Sequence, residues 1–519
     1  MFLLGLILPV LLALTPSPTR ASSLSVSRQA ERGTIHGRID EARLGTEQFL
    51  GIPFAEPPIG ARRWLPPIRK VHRKNETVDA SRFGPSCPQY AGGPSVYNND
   101  VPEFVIRPGT TDEDCLSLNI WAPAQGKARP DPKFPVIIWL YGGGFQAGGG
   151  AVEYQLPFNW VERSGKHIVV TINYRVNIFG FPNAAGLNSS ELNLGLLDQR
   201  LGIEWIRDNI HYFGGNSSQM ALWGQSAGAA SVDYYNHAYA HDPIVSSLIM
   251  DSGNAFVPIA TDEPSHASFT AVASHFNCST EPQEQLACLR KVPYEDIENF
   301  IASYSGGTPS YLSFNPVVDD RTKFANYTQH TLDKKSSGLP AIMGTNANEG
   351  VSLVPYPKDP DTTAPNQTEA DALTLNFFLC PAEEATKLRY QVGAKTYQYL
   401  YAGNYSNVSP RKWLGAYHSS ELPLIMGTSE YERGDNTDSE NRVSKKMQDL
   451  WVAFASDPTK GLEKHGWPAY KPGGYAIVFG LKDTVISKIG VEELEKPCDG
   501  LVGRTGAASP LAPGLRKAL

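Results

Sequence analysis

The amino-acid sequence predicts an α/β fold in which a large, mostly parallel sheet is flanked by helices and interrupted by long loop insertions. Three observations predict it. Short apolar, β-rich runs recur between longer amphipathic stretches, the pattern of strands alternating with helices. A Gly-x-Ser-x-Gly turn, Gly224 to Gly228, separates one such strand from one such helix. The 519 residues are 41% hydrophobic and 19% charged, enough apolar content for one large core.

In chain order, strands are expected at 136–140, 168–173, 220–223, 248–250, 341–344 and 476–479, where each run is apolar and bounded by turn residues. Helices are expected at 196–209, 227–238 and 444–455. The Gly/Pro/Ser/Asn-rich segments 89–100 and 355–366 read as surface insertions, the first bordering a pocket mouth. Length alone suggests about three domains. No internal boundary or repeat interrupts the pattern, so residues 22–519 are expected to form one domain.

The formal net charge is −7 and no Lys/Arg stripe or cluster stands out, which argues against a nucleic-acid partner. Beyond the N-terminus no uncharged apolar run is long enough for a membrane span. Residues 2–14 are almost wholly apolar, a Pro/Ser/Thr-rich stretch follows, and Ala21 supplies a small residue. That order predicts a secretory signal over 1–21; the alternative, given no Lys or Arg at its start, is an uncleaved anchor. No hydrophobic tail of the lipid-anchor kind follows Gly503. Six widely spaced cysteines suit disulfides in an oxidising compartment, and no C-x-x-C pair suggests a metal or redox role. Asn-x-Ser/Thr sequons fall at Asn75, Asn188, Asn216, Asn277, Asn326, Asn366, Asn404 and Asn407, of which only some are expected to carry glycan. A secreted glycoprotein is the expectation.

The chemistry points to Ser226. A Gly-x-Ser-x-Gly between strand and helix is a nucleophile elbow, so tight that a side chain at either glycine would strike a neighbouring element. It lifts Ser226 Oγ to the carboxyl end of the sheet, where ligands bind in open α/β folds. The following helix aims its first N–H groups at the same place. A second glycine run, Gly142-Gly143-Gly144, leaves the strand at 136–140. Consecutive glycines can turn N–H groups toward one point, as an oxyanion needs. Gly143, Gly144 and the N–H of Ala227 are the expected donors. A phosphate cradle would need Lys-Ser/Thr after the glycines, and none follows.

With these residues in view, the sequence resembles the type-B carboxylesterase/lipase family, which includes cholinesterases and secreted fungal lipases and esterases. The likeness runs through Phe49-Leu-Gly-Ile-Pro-Phe-Ala-Glu-Pro-Pro58, Glu113-Asp-Cys-Leu-Ser-Leu-Asn119, Asn173-Tyr-Arg175, Asn193-Leu-Gly-Leu-Leu-Asp-Gln199, Phe213-Gly-Gly-Asn216, Gly344-Thr-Asn-Ala-Asn-Glu-Gly350 and His418-Ser-Ser-Glu-Leu-Pro423. The resemblance implies an α/β-hydrolase fold, Glu349 as triad acid and His418 as base. The order Ser…Glu…His is the one this fold uses. It also implies the disulfides Cys87–Cys115, Cys278–Cys288 and Cys380–Cys498, structural ion pairs Arg63–Glu113 and Arg175–Asp198, and a supporting role for Ser252. One residue departs: relatives commonly carry Glu before the nucleophile, and here Gln225 keeps the shape without the charge.

The expected function is hydrolysis of a carboxylic ester through an acyl-enzyme, with no metal or cofactor. Cholinesterases of the family it resembles hold the quaternary ammonium by cation–π attraction on a Trp in the loop closed by the first disulfide. Between Cys87 and Cys115 here stand Tyr90, Tyr97 and Phe104 but no Trp, so the resemblance disfavours choline esters. A small or medium acyl ester, of plant-derived or secondary-metabolite kind, is expected as the small-molecule partner. The alternatives are a lipase activated at an interface, an amidase or peptidase using the same triad, and a catalytically silent adhesion or carrier domain. Oligomeric state is left open.

Overall fold

The computed structural model describes residues 23–499 except 72, 91, 125–132, 260–264, 307–308 and 310. The expected leader and the segment after Gly503 lie outside the described residues. Among those residues, 13 strands form one mixed sheet. Its middle is parallel: Ile168–Ile172, Phe134–Leu140, Gly215–Gln225, Ser247–Asp251, Ala341–Asn346, Thr396–Tyr401 and Tyr475–Phe479 lie side by side in that order. Antiparallel pairs finish the two sides, through Ser117–Pro123 at one and Ile486–Gly490 at the other.

Both faces of the middle are covered. Along Phe134–Leu140, Ile137 and Trp139 join Trp223 and Trp451 in the core on one face, while Ile138 and Leu140 join Leu222 and Met250 on the other. Strands buried on two sides read as unbroken apolar runs, which is why these were visible in the sequence. The helix Ala227–Ala238 packs on the strands Gly215–Gln225 and Ser247–Asp251, and Asp438–Ser456 covers the opposite face against Phe134–Leu140.

Every expected strand and helix is present, with adjusted ends. The strand expected at 220–223 begins at Gly215, because main-chain pairing with Phe134 extends it through polar residues. The helix expected at 444–455 begins at Asp438, where Thr437 and Glu440 form a reciprocal capping box upstream of the first apolar residue. Thr396–Tyr401 was not expected. All six of its residues are buried, yet its tyrosines and Gln398 give no apolar run.

The three implied disulfides are formed. Arg63 pairs with Glu113 through two hydrogen bonds of 2.6 and 2.5 Å, and Arg175 with Asp198 through 2.8 and 2.7 Å. No described helix is long and apolar enough to cross a membrane.

Candidate active site

The strand Gly215–Gln225 ends and the helix Ala227–Ala238 begins with one residue between them, Ser226. Its φ of 57° and ψ of −123° are strained for a residue with a side chain. Close backbone packing holds the strain. A Cβ on Gly224 would lie 2.3 Å from the Gly228 carbonyl carbon, and one on Gly228 would lie 2.1 Å from the Leu140 carbonyl oxygen. The Ser226 N–H donates to the Asp251 carbonyl at 2.9 Å, tying the turn to the next strand.

Leu140 lies opposite Gly224 in the parallel pair, so the glycine run emerges beside the turn. Gly143 has φ 109°, and a Cβ there would sit 2.3 Å from the Ala147 carbonyl oxygen; only glycine fits. Gly143 and Gly144 are exposed, and Ser226 is partly exposed. Among the described residues the N–H groups of Gly143, Gly144 and Ala227 donate to no protein acceptor, which leaves them available to a ligand. Gln89 braces the loop from outside, donating to the Gly148 carbonyl and accepting from its N–H at 2.7 Å each.

Glu349 opens a single turn, Glu349–Ser352, just after the strand Ala341–Asn346, and is fully buried. One carboxylate oxygen accepts from His418 Nδ1 at 2.6 Å; the other accepts from Ser252 Oγ at 2.5 Å and the Asn346 N–H at 2.6 Å. His418 lies in irregular chain held by side chains. Asn346 Nδ2 donates to the Tyr417 carbonyl at 2.8 Å, Tyr97 OH donates to the His418 carbonyl at 2.7 Å, and the Phe378 ring lies 4.7 Å from the imidazole. With Nδ1–H on the carboxylate, Nε2 keeps its lone pair.

Gln225 also reaches the imidazole. Its amide nitrogen stands 3.1 Å from His418 Nε2 and 3.5 Å from Nδ1. Ser226 Oγ hydrogen-bonds to no protein group among the described residues. The expected acid, base and nucleophile thus stand in one neighbourhood, with the acid–base bond formed and the hydroxyl–base bond not yet made. Such bonds often tighten only when substrate binds.

More carboxyl groups crowd beneath. Burial pushes Asp251 up to about 7, although Trp223 Nε1 donates to it at 2.5 Å. Burial also raises Glu421 well above the carboxylate range, with the charges of Asp251 and Glu349 adding to the effect and Asn346 Nδ2 opposing it. Burial thus favours the protonated forms of Asp251 and Glu421. Tyr97 entered the sequence analysis only as an aromatic of the disulfide loop, and Asn346 and Asp251 were given no role there. Asn346 and Glu421 sit within quoted motifs, but Tyr97 carries no periodic signal.

Of the sequon asparagines, Asn75, Asn188, Asn277, Asn326, Asn366 and Asn404 are exposed and Asn216 is half-buried. Asn407 is buried, and its amide donates to the Ser429 carbonyl at 3.0 Å and to Asn436 at 2.8 Å.

A family model described as the carboxylesterase family matches residues 24–375 and 356–485. The chain is 40% identical over 490 residues to "Secreted lipase 5" of Gibberella zeae, covering 89% of this chain and 91% of that one. It is 39% identical over 492 residues to "Chlorogenic acid esterase" of Aspergillus niger, covering 91% and 93%. Similarity to "Acetylcholinesterase" of Bungarus fasciatus is lower, 30% over 516 residues, covering 87% and 82%.

Proposed function

Because the chain belongs to the carboxylesterase family and is a carboxylic ester hydrolase, we propose that it works through an acyl-enzyme on Ser226. In this reading His418 Nε2 takes the Ser226 proton as Oγ attacks the ester carbonyl. Glu349 keeps the second imidazole proton on Nδ1 and stabilises the imidazolium. The oxyanion is met by the N–H groups of Gly143, Gly144 and Ala227, which face no competing protein acceptor. The alcohol leaves with a proton from His418, and water activated by the same nitrogen releases the acid.

One observation carries the reading: the 2.6 Å bond from His418 Nδ1 to Glu349 at the sheet edge where Ser226 turns. A fluorophosphonate probe tests it. Ser226 is expected to be labelled in the wild type, and Ser226→Ala is expected to lose labelling together with about 10⁵-fold or more of kcat. Labelling elsewhere, or activity surviving in Ser226→Ala, defeats the proposal; absent labelling would favour a silent binding domain.

We place residues 22–519 in one exported hydrolase domain released from a leader at 1–21. The name of the Gibberella zeae relative supports export. The exposed sequons are proposed to carry glycan and Asn407 to stay bare. For substrate we favour a small or medium acyl ester of plant or secondary-metabolite origin, supported by the Aspergillus niger relative named for chlorogenic acid. A lipase is the second reading, supported by the name of the Gibberella zeae relative. A panel of esters and matched amides, varied in acyl length, separates these.

A further inference from the structure

We infer that the loop closed by Cys87 and Cys115 is a fixed wall rather than a lid, so that the enzyme takes esters dissolved as single molecules. This rests on the ester-hydrolase reading above and decides between its two substrate classes.

The loop is anchored at three points to chain that follows the sheet's carboxyl edge. Tyr97 OH donates to the His418 carbonyl at 2.7 Å and lies 3.1 Å from Ser352 Oγ. Asp100, with a side chain only 1% exposed, accepts from Arg411 Nε at 2.7 Å and from Tyr356 OH at 3.1 Å. Glu103 takes both ends of the Arg433 guanidinium at 3.1 and 2.7 Å. Displacing the loop would break both of the Asp100 hydrogen bonds at once, so Asp100 fastens it to two separate segments.

A lid also needs an apolar face to give to an oil surface. Among its described residues the loop has only the short turns Val96–Asn99 and Pro102–Phe104, and Val96, Val101 and Phe104 are already buried in the core. Phe104 packs edge-on against Tyr97, Tyr154 and Tyr417. With every anchor in place, Gly143 and Gly144 are still exposed. The fastened state is the open state, and substrate entry requires no opening step. Between the loop and Ala147, Ala151 and Glu153 lies a cavity of about 840 Å³. Glu103 and the ion pair Arg107–Glu153 stand on its walls, where an aliphatic chain would strip them of water.

The test follows the rate on tributyrin and on p-nitrophenyl butyrate from below to above their solubility limits. The expected curves saturate smoothly, with no step as droplets form; a severalfold jump at the limit overturns the inference. Arg411→Ala and Arg433→Ala then release the anchors, with rates normalised to fluorophosphonate-titrated sites so that misfolded protein is not counted. A loosened wall should lower kcat/KM on the dissolved ester, by about tenfold for Arg411→Ala given its buried partner. An unlatched lid would raise it, and a raised or unchanged value overturns the inference. Wild-type protein with no turnover and no labelled Ser226 would sink the ester-hydrolase reading itself.

Discussion

The proposed nucleophile and the proposed base are supported in opposite ways. Ser226 is fixed by main chain: Gly224 and Gly228 let a strand, a helix and Leu140 approach so closely that no side chain fits between them. His418 is fixed by side chains: Glu349, Tyr97, Asn346, Phe378 and Gln225 each touch it or its neighbouring carbonyl. Packed backbone is all-or-none, because one methyl group displaces whole elements. A polar network is graded, because each partner contributes a part.

The largest expected effect comes from breaking the first kind of support. Gly228→Ala would put a Cβ 2.1 Å from a carbonyl oxygen, and we expect a loss of about 3 kcal/mol or more, read as lower folded yield and melting temperature. Next is Asp251→Asn, which sharpens the contrast by showing that the polar side carries strain of its own. Asp251 binds its proton more tightly folded than unfolded, so its share of stability is complete below about 4 and is lost as pH rises to about 7. The Asn variant should therefore melt higher than wild type at pH 8, by at most about 4 kcal/mol, and match it near pH 4. Equal shifts at both pH values would refute that origin.

Gln225→Glu asks how far the base depends on a neutral neighbour. A carboxylate there would stand with Glu349 beside the imidazole and favour its protonated form. The acid limb of kcat/KM should move up by about one pH unit, and a superimposable profile would speak against contact in solution. The smallest effect is expected for Tyr97→Phe, which removes one donor from the His418 carbonyl. A fall of about fivefold in kcat/KM with melting nearly unchanged would fit one lost hydrogen bond.

The same contrast explains what was legible. Close backbone approach leaves glycines at fixed spacing, so the elbow and the glycine run could be read directly. Apolar runs gave the central strands because both faces are buried. Side-chain support leaves no such trace. Arg411 and Asp100 are 311 residues apart, and neither is unusual where it stands. Thr396–Tyr401, which leads into the His418 segment, was passed over because its buried tyrosines read as half-polar. Glu349 and His418 were reachable only through the resemblance; a buried loop acid and one imidazole among 11 have no local signature.

The third disulfide bears on how the protein must be made. Cys87–Cys115 and Cys278–Cys288 span 28 and 10 residues and can close while the ribosome is still extending the chain. Cys380 must wait 118 residues for Cys498, and His418 lies inside that interval. Closing so long a loop removes about 5 kcal/mol of chain entropy from the unfolded state. Recombinant production in a reducing cytosol would forgo that gain for the segment bearing the imidazole, so an oxidising secretory host is the expression system of choice.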